Sequence, residues 1–466
     1  MDLHGSRILF LNWRCPWHPL AGGAERYCWN IATRFAQAGD EVTLVTSRPP
    51  ALAKEEVRSG VRIWRRGGTF TVYLWAALFL LWAGHRFSAV VDCQNGIPFF
   101  APLFLRRRTS VTMVIHHVHQ DQFDLRFRWP MNALARLLEK RVSRMVYGRR
   151  PIIAVSPATR AEVRRRLKLK GPIHVVPNGI EPHPIAQLPK RSEAPTLVYV
   201  GRLVAHKRLH LLLEATVRLR ERWPDLRVNI AGAGPARPEL EQLARRLQLH
   251  DAVRFWGWVT DDQRTELLAS AWLLVTPSAA EGWGLTVIEA NAAGRPALAC
   301  RVPGLANSIA HGVNGWLLDD VRQLPEGVDS ALQRLSDQAE VARLEMSCRR
   351  WASQFSWDRT AQRMGHVLWT AGLGRTVDGH RASPVTSDAA TIVILEATAG
   401  LDRIQEVLPP SDLWRVEGNT LRILLPGHDV STAISSLEAL GLSGHARVRV
   451  ARNSDLLLGL NDPSAG

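Results

Sequence analysis

Short apolar runs, each closed by a turn and followed by a stretch with helical spacing, recur along most of this chain, and the series starts twice. The first series holds Ile8–Leu11, Val42–Thr46, Val61–Trp64, Ala89–Asp92, Ser110–Ile115, Ile152–Val155 and Ile173–Val176. The second holds Thr196–Val200, Arg227–Gly232, Val253–Gly257, Trp272–Val275, Pro296–Cys300 and Gly312–Leu318. Continuous apolar runs of this length are what a parallel sheet buries on both faces. Alternated with helices, twice over, they specify two α/β units, each a doubly wound parallel sheet. Asn178-Gly179 and the prolines Pro182, Pro184 and Pro189 punctuate the junction. The expected units are 1–185 and 192–356, with a long helix over Ser330–Phe355 closing the second.

Bulk properties narrow the partner more than the fold. The 466 residues carry a formal net charge of +16, which asks for an anionic partner: nucleic acid is one candidate, and nucleotide phosphates, phospholipid head groups and a lipid pyrophosphate satisfy the same electrostatics. The five cysteines, Cys15, Cys28, Cys93, Cys300 and Cys348, are scattered and include no C-x-x-C pair, so neither a disulfide framework nor a zinc site is indicated. Met1–Arg7 runs straight into an apolar strand without the parts of a signal peptide, so a cytoplasmic protein is expected.

Chemistry concentrates where strands end. After Trp272–Val275 comes Thr276-Pro277-Ser278-Ala279-Ala280-Glu281-Gly282-Trp283-Gly284, and from Leu285 the spacing turns helical. A strand-to-helix junction of this kind points unpaired amides at its mouth, and Gly282 and Gly284 keep side chains away from an approaching phosphate. Glu281 precedes the helix and Glu289 lies within its first two turns, so the two acids can address different parts of one ligand. On spacing alone, an ordinary capped helix with Glu289 near its N-terminal end explains the pattern equally well. Gly22-Gly23 opens a second candidate amide cradle after the first strand. Gly201-Arg202, with Lys207 just beyond, ends the first strand of the second series, where two fixed cations could meet a leaving diphosphate.

Glu281 and Glu289 match the E-x7-E signature of glycosyltransferase family 4, a family of retaining enzymes with the GT-B fold. The likeness continues in Val200-Gly201-Arg202-Leu203 with Lys207, in Ile230–Pro235, in Pro177-Asn178-Gly179-Ile180 and in Gly22–Arg26. It covers roughly the first 370 residues, so the chain resembles that family over most of its length. The resemblance implies two Rossmann-like units facing across a cleft, with a terminal helix over 357–372 crossing back to the first. It also implies a nucleotide-diphosphate sugar as donor, an acceptor hydroxyl, and neither metal, cofactor nor nucleic acid. On that pattern Arg202 and Lys207 hold the diphosphate with the amides near Gly284, Leu285 and Thr286 and the Gly22-Gly23 loop. Glu281 binds the donor sugar and Glu289 the ribose. The residue after the Ser110–Ile115 strand is commonly a histidine beside the sugar; His116 fits best, with His117 the fallback. The implied setting is glycan, glycolipid or cell-envelope polysaccharide synthesis. A retaining phosphorylase on the same fold and a non-catalytic nucleotide-sugar binding module stay open as alternatives.

Two segments are not absorbed by that pattern. Tyr73–Ala83 is the most apolar stretch of the chain, yet too short to cross a bilayer of ~30 Å. A helix buried against the sheet accounts for it. An interfacial helix beside Arg62, Arg65, Arg66 and Arg86 is the alternative, and would suit a lipid-linked acceptor and peripheral contact with an anionic membrane. Beyond a Gly/Ser/Thr/Pro-rich linker at 373–388, the region 389–461 reads as a small α+β domain of βαββαβ order, as in ferredoxin-like folds. Its hairpin Ser411–Gly427 resembles that of a GGDEF domain, but Glu417–Leu421 lacks the acidic pair that metal-assisted phosphoryl transfer needs.

Overall fold

The computed structural model describes residues 5–368 except 20, 107–108, 122, 124–126 and 182–187, and further on residues 390–396, 414–417, 420–426, 430, 433–434, 446–451 and 456. The chain divides into two units, Met1–Gly179 with Trp357–Gly466, and Ile180–Ser356.

The first unit is built on strands β1 (Arg7–Leu11), β2 (Glu41–Thr46), β3 (Glu55–Arg58), β4 (Val61–Arg65), β5 (Ala89–Gln94), β6 (Ser110–Ile115), β7 (Ile152–Ala154) and β8 (Ile173–Val175). They form one sheet in the order β3-β4-β2-β1-β5-β6-β7-β8. All pairs are parallel except β3 with β4. β3 is absent from the sequence reading because Glu55-Glu56-Val57-Arg58 is a charged edge strand with no apolar run to betray it. Every residue of β5 and β6 is buried, as expected of central strands covered on both faces. Helices α1 (Gly23–Gln37), α2 (Thr71–Ala83), α3 (Met131–Leu137), α4 (Ser143–Tyr147) and α5 (Pro157–Glu162) cover the sheet. Val72, Ala76, Phe79 and Leu80 of α2 share one core cluster with Tyr147 of α4 and with Met113 and Ile115 of β6. α2 and α4 therefore lie in the same layer.

In the second unit, β9 (Thr196–Val200), β10 (Arg227–Ala231), β11 (Val253–Gly257), β12 (Leu273–Thr276), β13 (Ala297–Cys300) and β14 (Gly315–Leu318) form an all-parallel sheet in the order β11-β10-β9-β12-β13-β14. Its helices are α6 (Leu209–Arg222), α7 (Arg237–Arg246), α8 (Asp261–Ser270), α9 (Leu285–Ala292), α10 (Leu305–Ser308), α11 (Leu324–Arg334) and α12 (Gln338–Ala352). The single helix expected over Ser330–Phe355 is thus two. Asp337 ends the first by capping the second, accepting hydrogen bonds from the amides of Ala339 at 2.8 Å and Glu340 at 3.4 Å.

A last helix, α13 (Trp357–Leu368), belongs to the first unit. Asp358 pairs with Arg34 of α1 at 2.6 Å, and Thr360 donates to the Pro177 carbonyl at 2.9 Å. Beyond it, β15 (Ala390–Glu396), β16 (Trp414–Glu417), β17 (Thr420–Pro426) and β18 (Ala446–Val450) form an antiparallel sheet in the order β16-β17-β15-β18. That is the strand order of a split βαβ domain. The linker 373–388, the segment Leu401–Leu408 and the turn residues Gly418 and Asn419 lie outside the described residues, as does most of 430–440.

Candidate active site

The two α/β sheets, parallel but for the edge strand β3, each reverse their strand order once, and ligands of such sheets gather at the carboxyl ends of the strands on either side of the reversal. In the second unit the reversal falls between β9 and β12. The loops leaving these two strands carry Gly201, Arg202 and Lys207 on one side, and Glu281, Gly282 and Gly284 on the other. Backbone contacts hold them together: the Ala279 amide donates to the His206 carbonyl at 2.8 Å.

Within that loop pair Lys207 forms an ion pair with Glu281. Lys207 is 7% exposed, and the carboxylate gives this buried ammonium a partner that fixes where it points. Arg202 is exposed, and its guanidinium has no hydrogen bond or ion pair among the described residues; its own carbonyl accepts from the Tyr199 hydroxyl at 3.1 Å. Burial, more than any neighbour, raises the Tyr199 phenol well above its ordinary range, so it remains a donor. His206 is pushed down, first by burial and then by Lys207 and Arg202. The site is a cationic mouth with one acid inside it.

Glycine geometry explains how the backbones come so close. A β-carbon on Gly232 would sit 1.8 Å from the Gly201 carbonyl oxygen, and one on Gly304 would sit 2.1 Å from that of Glu281. Gly284 caps α9 at φ +81°, a left-handed conformation, with Leu305 and Ser308 closing the space behind it. The first amides of α9, Leu285 and Thr286 among them, have no partner within the helix.

Glu289 is half-buried on α9 and paired with Arg264 of α8 at 3.3 Å; Arg264 also contacts Asp261 at 3.0 Å. Sequence reasoning missed Arg264, because one arginine in a polar helix carries no signal until the strand order brings α8 beside α9. It also missed Trp283, which is buried, with no partner for its indole N–H among the described residues and its ring edge-on to Phe355 at 5.1 Å.

In the first unit the reversal falls between β1 and β5, and the residues following them, Asn12 and Asn95, are bridged by a 2.7 Å hydrogen bond. Gly22 caps α1, but its amide already donates to Glu25 at 2.7 Å, so of the Gly22-Gly23 pair it is Gly23 that lies open, with no atom within 4 Å of where a β-carbon would stand. The arrangement has a physical cause: in a capping box the carboxylate at the third helical position, here Glu25, reaches back to the amide of the cap residue. His116, directly after β6, is 7% exposed, edge-on to the Tyr27 ring at 4.9 Å, and its Nε2 has no hydrogen-bond partner among the described residues. Burial, helped by His117 and His119, drives its pKa down to about 3, so the ring is neutral. Among the described residues no group of three His, Cys, Asp or Glu comes together as a metal-ligand set.

Comparison with known proteins supplies the deciding observation. Residues 21–183 match the model of Glycosyltransferase Family 4, and residues 182–344 that of Glycosyl transferases group 1. The chain belongs to glycosyltransferase family 4. This transferase is 28% identical over 403 residues to a glycogen synthase of Mycobacterium tuberculosis, covering 79% of the present chain and 95% of the relative. It is 35% identical over 179 residues to a D-inositol 3-phosphate glycosyltransferase of Corynebacterium urealyticum, covering 37% and 42%. Among solved structures, the sucrose-phosphate synthase of Thermosynechococcus elongatus superposes with a TM-score of 0.67 at 20% identity, over 78% of this chain and 98% of that one. The Anabaena protein HepE in complex with UDP-glucose gives 0.59 at 19%, over 78% and 99%. These likenesses establish the GT-B fold. The two matched regions hold every candidate residue of this glycosyltransferase, and the sheet β15–β18 lies beyond both.

Proposed function

We propose that this glycosyltransferase moves a sugar from a nucleoside diphosphate sugar to an acceptor hydroxyl with retention of configuration. The observation that carries the reading is the pairing of Lys207 with Glu281 at the β9/β12 reversal, beside the exposed Arg202. The bond from the anomeric carbon to the diphosphate breaks, and the acceptor oxygen bonds to that carbon from the same face. The acceptor proton passes to an oxygen of the departing diphosphate. Arg202, Lys207 and the amides of Gly284, Leu285 and Thr286 take up the charge that develops on the leaving group, the largest lever available in a partly desolvated site. Glu281 holds donor-sugar hydroxyls and keeps Lys207 aimed, while Glu289, steadied by Arg264, binds the ribose. In the first unit, the neutral His116 is assigned to a sugar hydroxyl and the open Gly23 side of the α1 cap to the donor's phosphate. No metal or cofactor enters this scheme.

The HepE structures contain UDP or UDP-glucose, which favours a uridine nucleotide as the first donor to try. The acceptor we propose is lipid-linked, presented at the inner face of a membrane in envelope glycan or glycolipid synthesis. Among the described residues no helix is long and apolar enough to cross a membrane. The test is transfer of label from UDP- and GDP-sugars, with sugar 1-phosphates as the competing donors, into a lipid extract and into soluble glycosides. Transfer from a nucleotide sugar, lost in Lys207→Ala, is expected. Turnover confined to sugar 1-phosphates would replace the reading with a phosphorylase.

A further inference from the structure

Helix α2 has two apolar faces, and the sheet uses one of them. Val72, Ala76, Phe79, Leu80 and Ala83 are buried in the core, whereas Leu74, Trp75, Leu78, Leu81 and Trp82 stand between 42% and 66% exposed. The exposed set repeats at helical spacing along the whole element, and Thr71–Ala83 contains no charged residue. A helix packed on a sheet by one side ordinarily turns polar residues outward. At 13 residues it is about 20 Å long, too short to span a bilayer and long enough to lie in its surface.

The surroundings of this face say what covers it. Phe70, 67% exposed at the start of α2, contacts the Phe127 ring at a centroid distance of 6.4 Å. That contact joins the face to a second exposed apolar set, Trp129, Met131, Leu134 and Leu137, in and before α3. At the other end, Arg86 stacks over the Trp82 ring at 5.2 Å. From Phe70 to Arg150 the sequence has twelve Lys and Arg against four Asp and Glu, and two of those acids, Asp92 and Glu139, are fully buried. Beside the second set lies a cavity of about 530 Å³ lined by Trp129, Leu137, Arg136, Lys140 and Arg141, an apolar wall facing cations.

We infer that the first unit docks on an anionic lipid bilayer through the outer face of α2 and the Trp129–Leu137 segment, with the flanking arginines and lysines at the level of the phosphate groups. Tryptophans and leucines enter the interfacial layer, while cations with long apolar stems stay in contact with anionic head groups. A second copy of the chain fits worse, because a two-fold contact through this surface would set the same cationic field against itself. The inference rests on the lipid-linked acceptor proposed above for its purpose, and on the surface alone for its physics.

The test is flotation of the full chain with vesicles of phosphatidylcholine, alone or mixed with phosphatidylglycerol, at low and high salt. The expected result is binding to the mixed vesicles, weakened by salt, and lowered roughly tenfold or more in a Leu78→Ser, Trp82→Ser variant whose melting temperature is unchanged. An Arg86→Glu variant, which leaves the apolar face intact, keeps the test open should the double variant not fold, and is expected to lose about fivefold. Absence of binding to anionic vesicles, or folded variants binding like the wild type, would overturn the inference. So would a wild-type dimer in sedimentation that the double variant dissociates, since a second copy would then own the face. Stabilisation of the same variant by a nucleoside diphosphate in vesicle-free solution keeps a failure here separate from a failure of the transferase reading.

Discussion

Lys207 and Arg202 differ in a way that separates fold from chemistry. Arg202 is exposed and has no partner among the described residues, so Arg202→Ala is expected to leave stability within about 0.5 kcal/mol while transfer falls at least about a hundredfold; thermal melts run beside initial rates would show both. Lys207→Ala loses at least as much activity, but it also leaves Glu281 without its ion-pair partner and lowers the melting temperature. His116 carries a pH signature. Its pKa in the folded state is about 3 against 6.5 for the free side chain, so the unfolded chain binds the extra proton. Stability is therefore full above about pH 6.5 and falls as the pH drops from there toward 3. Asp92, raised to about 6 by burial, opposes this between about pH 4 and 6, where its folded form holds the proton and favours the native state. A His116→Asn variant should accordingly lose less stability than the wild type between pH 6.5 and 4; equal losses in denaturant titrations would show that the buried ring does not titrate this way. The positions of Glu281, Glu289, Arg202 and Lys207, after a strand or within the helix that follows it, were legible in the sequence from the apolar runs, and the family resemblance singled these four out. Arg264 and the Asn12–Asn95 bridge were not legible, since both depend on which strands become neighbours.

At the scale of elements, the apolar runs announced nearly every buried strand, because a strand covered on both faces must be apolar throughout. What escaped were features decided by polar residues: the charged edge strand β3, and the Asp337 cap that splits α11 from α12. The loops at the β9/β12 reversal rest on glycines of two kinds, and substitution tells them apart. Gly232→Ala would drive a β-carbon into the Gly201 carbonyl at φ +139°, and is expected to cost about 1–3 kcal/mol in denaturant unfolding through loop displacement. Gly23→Ala meets open space and should leave stability within about 0.5 kcal/mol. Any rise in the donor KM of that variant would then report the ligand rather than the fold.

For the whole molecule, the restart of the strand–helix series was enough to read two α/β units from the sequence, whereas the fate of Tyr73–Ala83 was not, since periodicity cannot say that an apolar helix keeps one face outside. The central claim is that the β9 and β12 loops form a receptor for a nucleoside diphosphate, and thermal unfolding of the full chain with UDP, GDP, ADP and TDP in turn tests it most directly. One of the four is expected to raise the melting temperature, by the equivalent of about 2.7 kcal/mol at a hundredfold excess over its Kd, and the shift should vanish in Arg202→Ala and Lys207→Ala. Stabilisation by none of them, or an undiminished shift in both folded variants, would contradict the account.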